Sequence, residues 1–285
     1  MADAANMNGK VCLITGATSG IGEVAARELA RLGATVVVVG RSKEKCVKTV
    51  EKIRAETGNS AVDFLVADLS SQADVRRLAE EFKKTYSRLD VLLNNAGAVF
   101  TKSQVSLDGF EMTLALNHLN YFLLTNLLLD LLKSSAPARV VNVASDAHRM
   151  VKGFNFDDPQ GSKRYGGLRI YAQSKLANIL FTNELAKRLE GTGVTANSLH
   201  PGVVATNFAA NNGGIWRVLR KVFDVFSIKV EEGAKTSVFL ASSPEVAAVS
   251  GKYFDKSAIA QPSPAALDES AGRRLWTLSE TWTNR

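Results

Sequence analysis

Only two cysteines occur in 285 residues, Cys12 in an apolar run and Cys46 in a polar helical one. That is too few for a disulfide framework or a cysteine-rich zinc site, and it is the usage of a reducing compartment. The three histidines, His118, His148 and His200, lack metal-ligand spacing, so each reads as a polar or packing residue. No apolar run reaches the roughly 18 residues of a membrane span. The opening MADAANMNGK has neither the basic start nor the apolar stretch of a secretory leader, and the expected address is cytoplasmic. Six dispersed prolines leave no proline-rich linker, and no internal repeat divides the chain, so it reads as one domain spanning 1–285.

Charge is present but unfocused. The 35 basic residues exceed the 28 acidic ones by seven, yet lysine and arginine are spread along the chain and sit inside amphipathic patterns such as 27–31. No aromatic-basic RNA motif accompanies them, so neither nucleic acid nor an integral membrane contact is expected; a mild positive field suits an anionic small molecule.

Short β-branched runs alternate with helix-length patterns: Val11–Thr15, Thr35–Val39, Val62–Val66, Asp90–Asn94, Arg139–Val143, Val194–Leu199 and Gly251–Phe254. Apolar runs joined by helical crossovers predict a parallel sheet covered on both faces, because a strand buried on both sides needs no polar alternation. The expected architecture is a single Rossmann-type, doubly wound α/β domain with a seven-stranded parallel sheet. Gly33 should stop a first helix running from Gly22 to Leu32, and Ser71 with Asp74 should open another reaching Ser87. The first nine residues are expected to be a flexible N-terminus. An excursion over 203–230 interrupts the pattern, and a helix is expected over 263–285, with Ser263 as its N-cap.

The first strand leads into Thr15-Gly16-Ala17-Thr18-Ser19-Gly20-Ile21-Gly22. Glycines at a strand-to-helix turn let backbone N–H groups approach a pyrophosphate at the positive end of the following helix. The second strand ends in Gly40-Arg41-Ser42, 19 residues past Gly22, where a carboxylate would read a free ribose 2′-hydroxyl. A guanidinium there instead favours the 2′-phosphate of NADP(H). After the third strand, Asp68 in Ala67-Asp68-Leu69 either accepts from an adenine amino group or opens a loop. Asn94-Asn95-Ala96-Gly97 after the fourth either lets the chain pass under the cofactor or ties neighbouring strands together.

Tyr171 and Lys175 stand at i and i+4 on a strongly helical run from Ile170 to Leu189, so both project from one face. Bringing a phenol of pKa near 10 to neutrality takes about 4 kcal/mol. An ammonium ~5 Å away supplies about 3 kcal/mol at an effective dielectric of 20. Tyr165, flanked by Gly166 and Gly167 and followed at i+4 by an arginine, belongs to a loop.

The TGATSGIG, NNAG and YAQSK segments, in this order, resemble the short-chain dehydrogenase/reductase family, and the likeness covers essentially the whole chain. LNHLNYFLLTNLLL from Leu116, SKLANILFTNELAKRL from Ser174 and RRLWTLSE from Arg273 look most like its retinol-dehydrogenase-like branch. The resemblance implies a catalytic set of Asn117, Ser145, Tyr171 and Lys175. The serine polarises a carbonyl oxygen, the tyrosine protonates it, the lysine binds the nicotinamide ribose and acidifies the tyrosine, and the asparagine supports a proton-relay water. It also implies cofactor contacts from Gly16, Thr18, Ser19, Gly20, Ile21 and Gly22, from Asp68, Leu69, Asn95, Ala96 and Gly97, and from Pro201, Gly202, Val204 and Thr206.

Ser145 precedes Tyr171 by 26 residues, about double the family's usual interval, as in the retinol-like branch. The added segment, with Phe154, Phe156 and Tyr165, either lines a deeper apolar pocket or covers the sheet edge. The apolar residues between Ile215 and Ile228 read as a lid, a membrane-touching helix or core. The expected activity is NADP(H)-dependent transfer of hydride between nicotinamide and an apolar carbonyl or alcohol, without a metal. A C=C reductase of the protochlorophyllide-reductase type and a non-catalytic NADP(H) sensor are the rivals; the resemblance implies a dimer or tetramer packed through the two long helices, while the sequence alone leaves a monomer open.

Overall fold

A computed structural model describes residues 6–202 and 229–284. The strands are β1 (Val11–Thr15), β2 (Thr35–Gly40), β3 (Val62–Val66), β4 (Val91–Asn94), β5 (Ala138–Val143), β6 (Val194–His200), β7 (Tyr253–Asp255) and β8 (Ala258–Ala260). They form one sheet in the order β3-β2-β1-β4-β5-β6-β7-β8. Every pairing from β3 to β7 is parallel, while β8 pairs antiparallel with β7.

The apolar runs form strands because both of their faces find a core. Leu13, Val37, Val39, Leu92 and Val140 enter one buried cluster. Their sequence neighbours Cys12, Ile14, Val36, Val38, Leu93 and Val141 enter the other. The period of two thus feeds two cores from one sheet. Helices α1 (Gly20–Arg31), α2 (Lys43–Thr57) and α8 (Val230–Ser242) cover the second cluster's face. Helices α3 (Gln72–Thr85), α5 (Asn120–Leu127) and α7 (Gly167–Arg188) cover the first. Short helices α4 (Met112–Leu114) and α6 (Leu129–Ser134) flank α5, and α9 (Glu269–Thr283) is the last element. Between α4 and α5, Ala115–Leu119 form a widened π-type turn, a local insertion often found at functional sites.

Expected caps are present. Gly33 has φ +93°, and the Ser71 side chain accepts from the Asp74 N–H.

The structure departs from the sequence expectations in three places. An eighth strand joins the expected seven. Its three residues are too few and too exposed to show a hydrophobic pattern, and its turn uses Lys256 and Ser257, both with positive φ, where Asn-Gly would have announced a hairpin. The C-terminal helix does not start from Ser263: Pro264–Leu267 form a single 3-10 turn. The true N-cap is Asp268, whose carboxylate accepts from the Ala271 N–H. The expected loose N-terminus does not extend to residue 9, since Met7 is buried and its N–H donates to the Leu32 carbonyl at 2.9 Å. Of the aromatics in the segment between Ser145 and Tyr171, Phe154 joins the buried cluster of Leu176, Leu180 and Leu275 and meets Phe156 edge-on at 4.9 Å. Residues 203–228, most of the expected excursion, lie outside the described residues. Among the described residues no helix is long and apolar enough to cross a membrane.

Phe181 on α7 stacks with Trp276 at 5.8 Å and tilts against Phe122 at 5.5 Å, joining α5, α7 and α9. Phe181→Ala is expected to cost about 3–5 kcal/mol of stability, read from the urea midpoint; a loss below about 1 kcal/mol would show that this junction does not hold the helices.

Candidate active site

The strand order reverses at β1, with β2 and β3 on one side and β4 onward on the other, so a crevice opens beyond the carboxyl ends of β1 and β4. The glycine turn and the Asn94–Gly97 segment meet there. The Thr15 hydroxyl accepts from the N–H groups of Asn95 and Ala96 at 2.9 and 3.0 Å. The Asn95 amide donates back to the carbonyls of Thr15 at 2.8 Å and Gly16 at 3.3 Å. Asn95 therefore ties strands together. Gly16 has φ +65°, and a Cβ there would lie 2.8 Å from the Ala96 Cα; one on Gly22 would lie 2.5 Å from the Gly16 carbonyl oxygen. Only glycine permits this close backbone cradle, whose N–H groups open onto α1, and it fits a dinucleotide pyrophosphate. Thr18, Ser19, Gly20 and Ile21 complete the turn into α1. Sequence reasoning missed Gly40: a Cβ there would strike Thr18 Cγ2 at 2.5 Å.

Arg41 follows Gly40 as an exposed residue beside Ser42, the N-cap of α2. Asp68 is turned into its own loop, with Oδ1 accepting from the Ser70 N–H at 3.0 Å and the Ser70 hydroxyl at 2.8 Å. Leu69 is buried. Gly202 has φ +85° after Pro201; Val204 and Thr206 lie outside the described residues.

The catalytic candidates converge from three elements. The Ser145 side chain, just past β5, lies near enough to the Tyr171 phenol on α7 to favour its ionised form. Lys175 Nζ lies 5.7 Å from the Tyr171 ring centroid, so the i, i+4 spacing does place both groups on one face. Nζ donates to the Val143 carbonyl at 2.9 Å. Asn117, in the π-type turn, accepts from the Ala98 N–H at 2.9 Å and donates to the Ala98 carbonyl and the Ser174 hydroxyl, each at 3.0 Å. A Cβ on Gly97 would lie 3.2 Å from Asn117 Oδ1 and 3.5 Å from Lys175 Nζ, which joins the NNAG segment to the same site.

Burial governs the electrostatics. It pushes the Tyr171 phenol above its ordinary pKa, and the nearby Ser145 side chain only partly offsets this. It pulls the Lys175 ammonium down to about 7. The sequence expectation counted the attraction of the ammonium alone; desolvation opposes both charged forms. The Val143 carbonyl that accepts from Nζ favours the charged lysine but does not offset its burial.

Sequence reasoning also missed Ser174, which bonds Asn117, and Asn178, whose amide shares the Val143 carbonyl at 3.3 Å. Both are polar residues on a helix face, with no signal that their partners come from other elements. Tyr165 is the loop residue expected, donating to the Phe100 carbonyl at 2.7 Å.

Residues 10–214 match the family model described as short chain dehydrogenase. Human retinol dehydrogenase 14 is 45% identical over 291 residues, covering 96% of this chain and 86% of that protein. A crystal structure of a protein from Mycobacterium paratuberculosis superposes with a TM-score of 0.79 at 33% identity, covering 99% of this chain and 96% of the other. A short chain dehydrogenase from Burkholderia cenocepacia in complex with NADP gives a TM-score of 0.70 at 27% identity, covering 87% and 96% of the two chains.

Lys175 titrates at about 7 when folded, against 10.5 ordinarily. Between those values the unfolded chain binds the extra proton, so stability without dinucleotide should rise as pH goes from about 7 toward 10. Urea unfolding at about pH 7 and pH 9 checks this: Lys175→Met should flatten the rise, and equal slopes in the two proteins would refute the buried-ammonium assignment.

Proposed function

Because the chain belongs to the short-chain dehydrogenase/reductase family, on its retinol-dehydrogenase-like side, and is an oxidoreductase, we propose that it interconverts an apolar aldehyde or ketone and the corresponding alcohol with NADP(H). The observation that carries the reading is Lys175 Nζ 5.7 Å from the Tyr171 ring centroid, with the Ser145 side chain near the same phenol, beside a glycine cradle at the switch point of the sheet.

The roles follow from donors and acceptors. The Ser145 hydroxyl accepts the Ala147 N–H at 3.1 Å, which leaves its hydrogen to donate to a carbonyl oxygen. Tyr171 then gives its phenolic proton to that oxygen as charge develops there, and in the reverse direction it takes the proton back. The charged form of Lys175 stabilises the resulting phenolate from one turn away. Asn117 holds the Ala98 backbone and Ser174 in place, fixing the wall between the NNAG segment and α7. When bound, the reduced nicotinamide supplies the hydride that completes reduction of the carbonyl carbon.

Arg41 supports the choice of NADP(H): it stands where a carboxylate would exclude a 2′-phosphate, and the similar Burkholderia enzyme is described in complex with NADP. The likeness to retinol dehydrogenases supports an elongated, apolar alcohol or aldehyde as substrate.

Tyr171→Phe is expected to lower kcat by about 10²–10⁴-fold with little change in the NADPH Kd by fluorescence titration; substantial remaining turnover would remove the phenol from its role. Arg41→Asp should shift the NADPH/NADH ratio of kcat/KM by roughly 10- to 150-fold toward NADH, the worth of one charged hydrogen bond. An unchanged ratio in steady-state kinetics would dispose of the phosphate contact.

A further inference from the structure

The backbone of Ser145 is held by a residue that the proposed chemistry leaves unused. Ser145 caps the short turn Asp146–Met150, and His148 on that turn is fully buried. The Ser145 carbonyl accepts the His148 N–H at 3.1 Å, and His148 Nδ1 stands 2.7 Å from the same oxygen. On the far side of the ring, the Ser263 backbone N–H donates to Nε2 at 3.0 Å. A backbone amide can only donate and a carbonyl can only accept, so Nε2 carries the lone pair and Nδ1 the hydrogen.

Two consequences follow. Both lone pairs of the Ser145 carbonyl are filled by one residue, once from its main chain and once from its side chain. The ring has a single neutral tautomer that satisfies both neighbours, which packing alone would not require. Tyr253 on β7 closes another side, edge-on at 5.2 Å between ring centroids, and its hydroxyl donates to Asp146 at 3.0 Å. Asp146 also pairs with Arg149 at 3.1 Å, and its N–H donates to His200 Nδ1 at 3.3 Å. The turn after β5 is thus fastened to β6, β7 and the segment entering α9.

Resting on the reading that Ser145 orients a carbonyl for Tyr171, we propose that His148 is a positioning residue for this reaction. Its Nδ1–H donation holds the Ser145 peptide, in the tautomer that the Ser263 N–H selects, and so fixes the direction in which the Ser145 hydroxyl points toward Tyr171.

Two substitutions divide the bonds of the ring. In His148→Asn the short side-chain amide reaches where Nδ1 stood and keeps the donation to Ser145. The longer amide in His148→Gln reaches where Nε2 stood and keeps the acceptor for Ser263. Each loses one hydrogen bond, so a purely structural role lowers Tm in both and leaves kcat per folded molecule unchanged. Positioning predicts a split: kcat falls about tenfold or more in His148→Gln and stays within about threefold of wild type in His148→Asn, with the NADPH Kd of both within about twofold. Equal kcat in the two variants, whether high or low, overturns the proposal.

If either variant fails to fold, ¹⁵N–¹H correlation spectra of the wild-type holoenzyme decide instead. A neutral Nδ1–H tautomer for His148 at pH about 7 supports the assignment, and an Nε2–H or doubly protonated ring overturns it. Failure of the underlying reading looks different: wild-type protein that binds NADPH but turns over none of a panel of apolar carbonyls and alcohols removes the reaction, and the positioning role with it.

Discussion

Lys175 brings an ammonium group to a place where the residue is only 2% exposed, and removing such a charge from water costs several kcal/mol. Much of the polar interior answers that cost. The Val143 carbonyl at the end of β5 accepts from Nζ at 2.9 Å, and the rings of Tyr171 and Tyr121 lie 5.7 and 5.8 Å away, within range of cation–π attraction. Gly97 lets the backbone after β4 come close because it has no Cβ to fill the space. The low dielectric that makes the charge expensive also strengthens its effect on a phenolate one turn away, so the same burial both destabilises the site and equips it.

A line of buried amides and hydroxyls holds the surrounding elements in register. Asn94 on β4 pairs in register with Asn142 on β5 and donates to its side chain at 2.9 Å, while Asn142 donates to Thr182 on α7 at 2.9 Å. A slip of one residue in either strand would turn these amides to the opposite face and leave them unpaired in the core, at about 1–3 kcal/mol each. Together with the Thr15–Asn95 tie between β1 and β4, they join the nucleotide half of the sheet to the helix that carries Tyr171 and Lys175. The pyrophosphate cradle and the acid–base pair are thereby set at a fixed distance from one another.

Most of the strands legible in the sequence were those buried on both faces, because burial favours apolar residues on each of them, while β3 at the sheet edge showed through its Val, Phe and Leu. β8 escaped for the opposite reason: its residues meet solvent, and its turn uses residues without a preference for positive φ. The break at Asp268 was equally hidden, since the apolar period of Leu275 and Leu278 runs on from Pro264 and only the bond from the Asp268 carboxylate to the Ala271 N–H marks the new start. His148 looked like one more packing residue, as nothing nearby in the chain announces that Ser263, 115 positions away, fills its second nitrogen.

By itself, the sequence determined what is set by short-range geometry. A glycine turn at a β–α junction, Tyr171 and Lys175 one helical turn apart, and a guanidinium in place of a carboxylate after β2 are all properties of residues within a few positions of one another. Only the tertiary structure decided the protonation tendencies of Tyr171 and Lys175, the tautomer of His148 and the meeting of Ser145 with Tyr171. Desolvation and hydrogen-bond satisfaction depend on every group that closes around a site, and those groups arrive from distant parts of the chain.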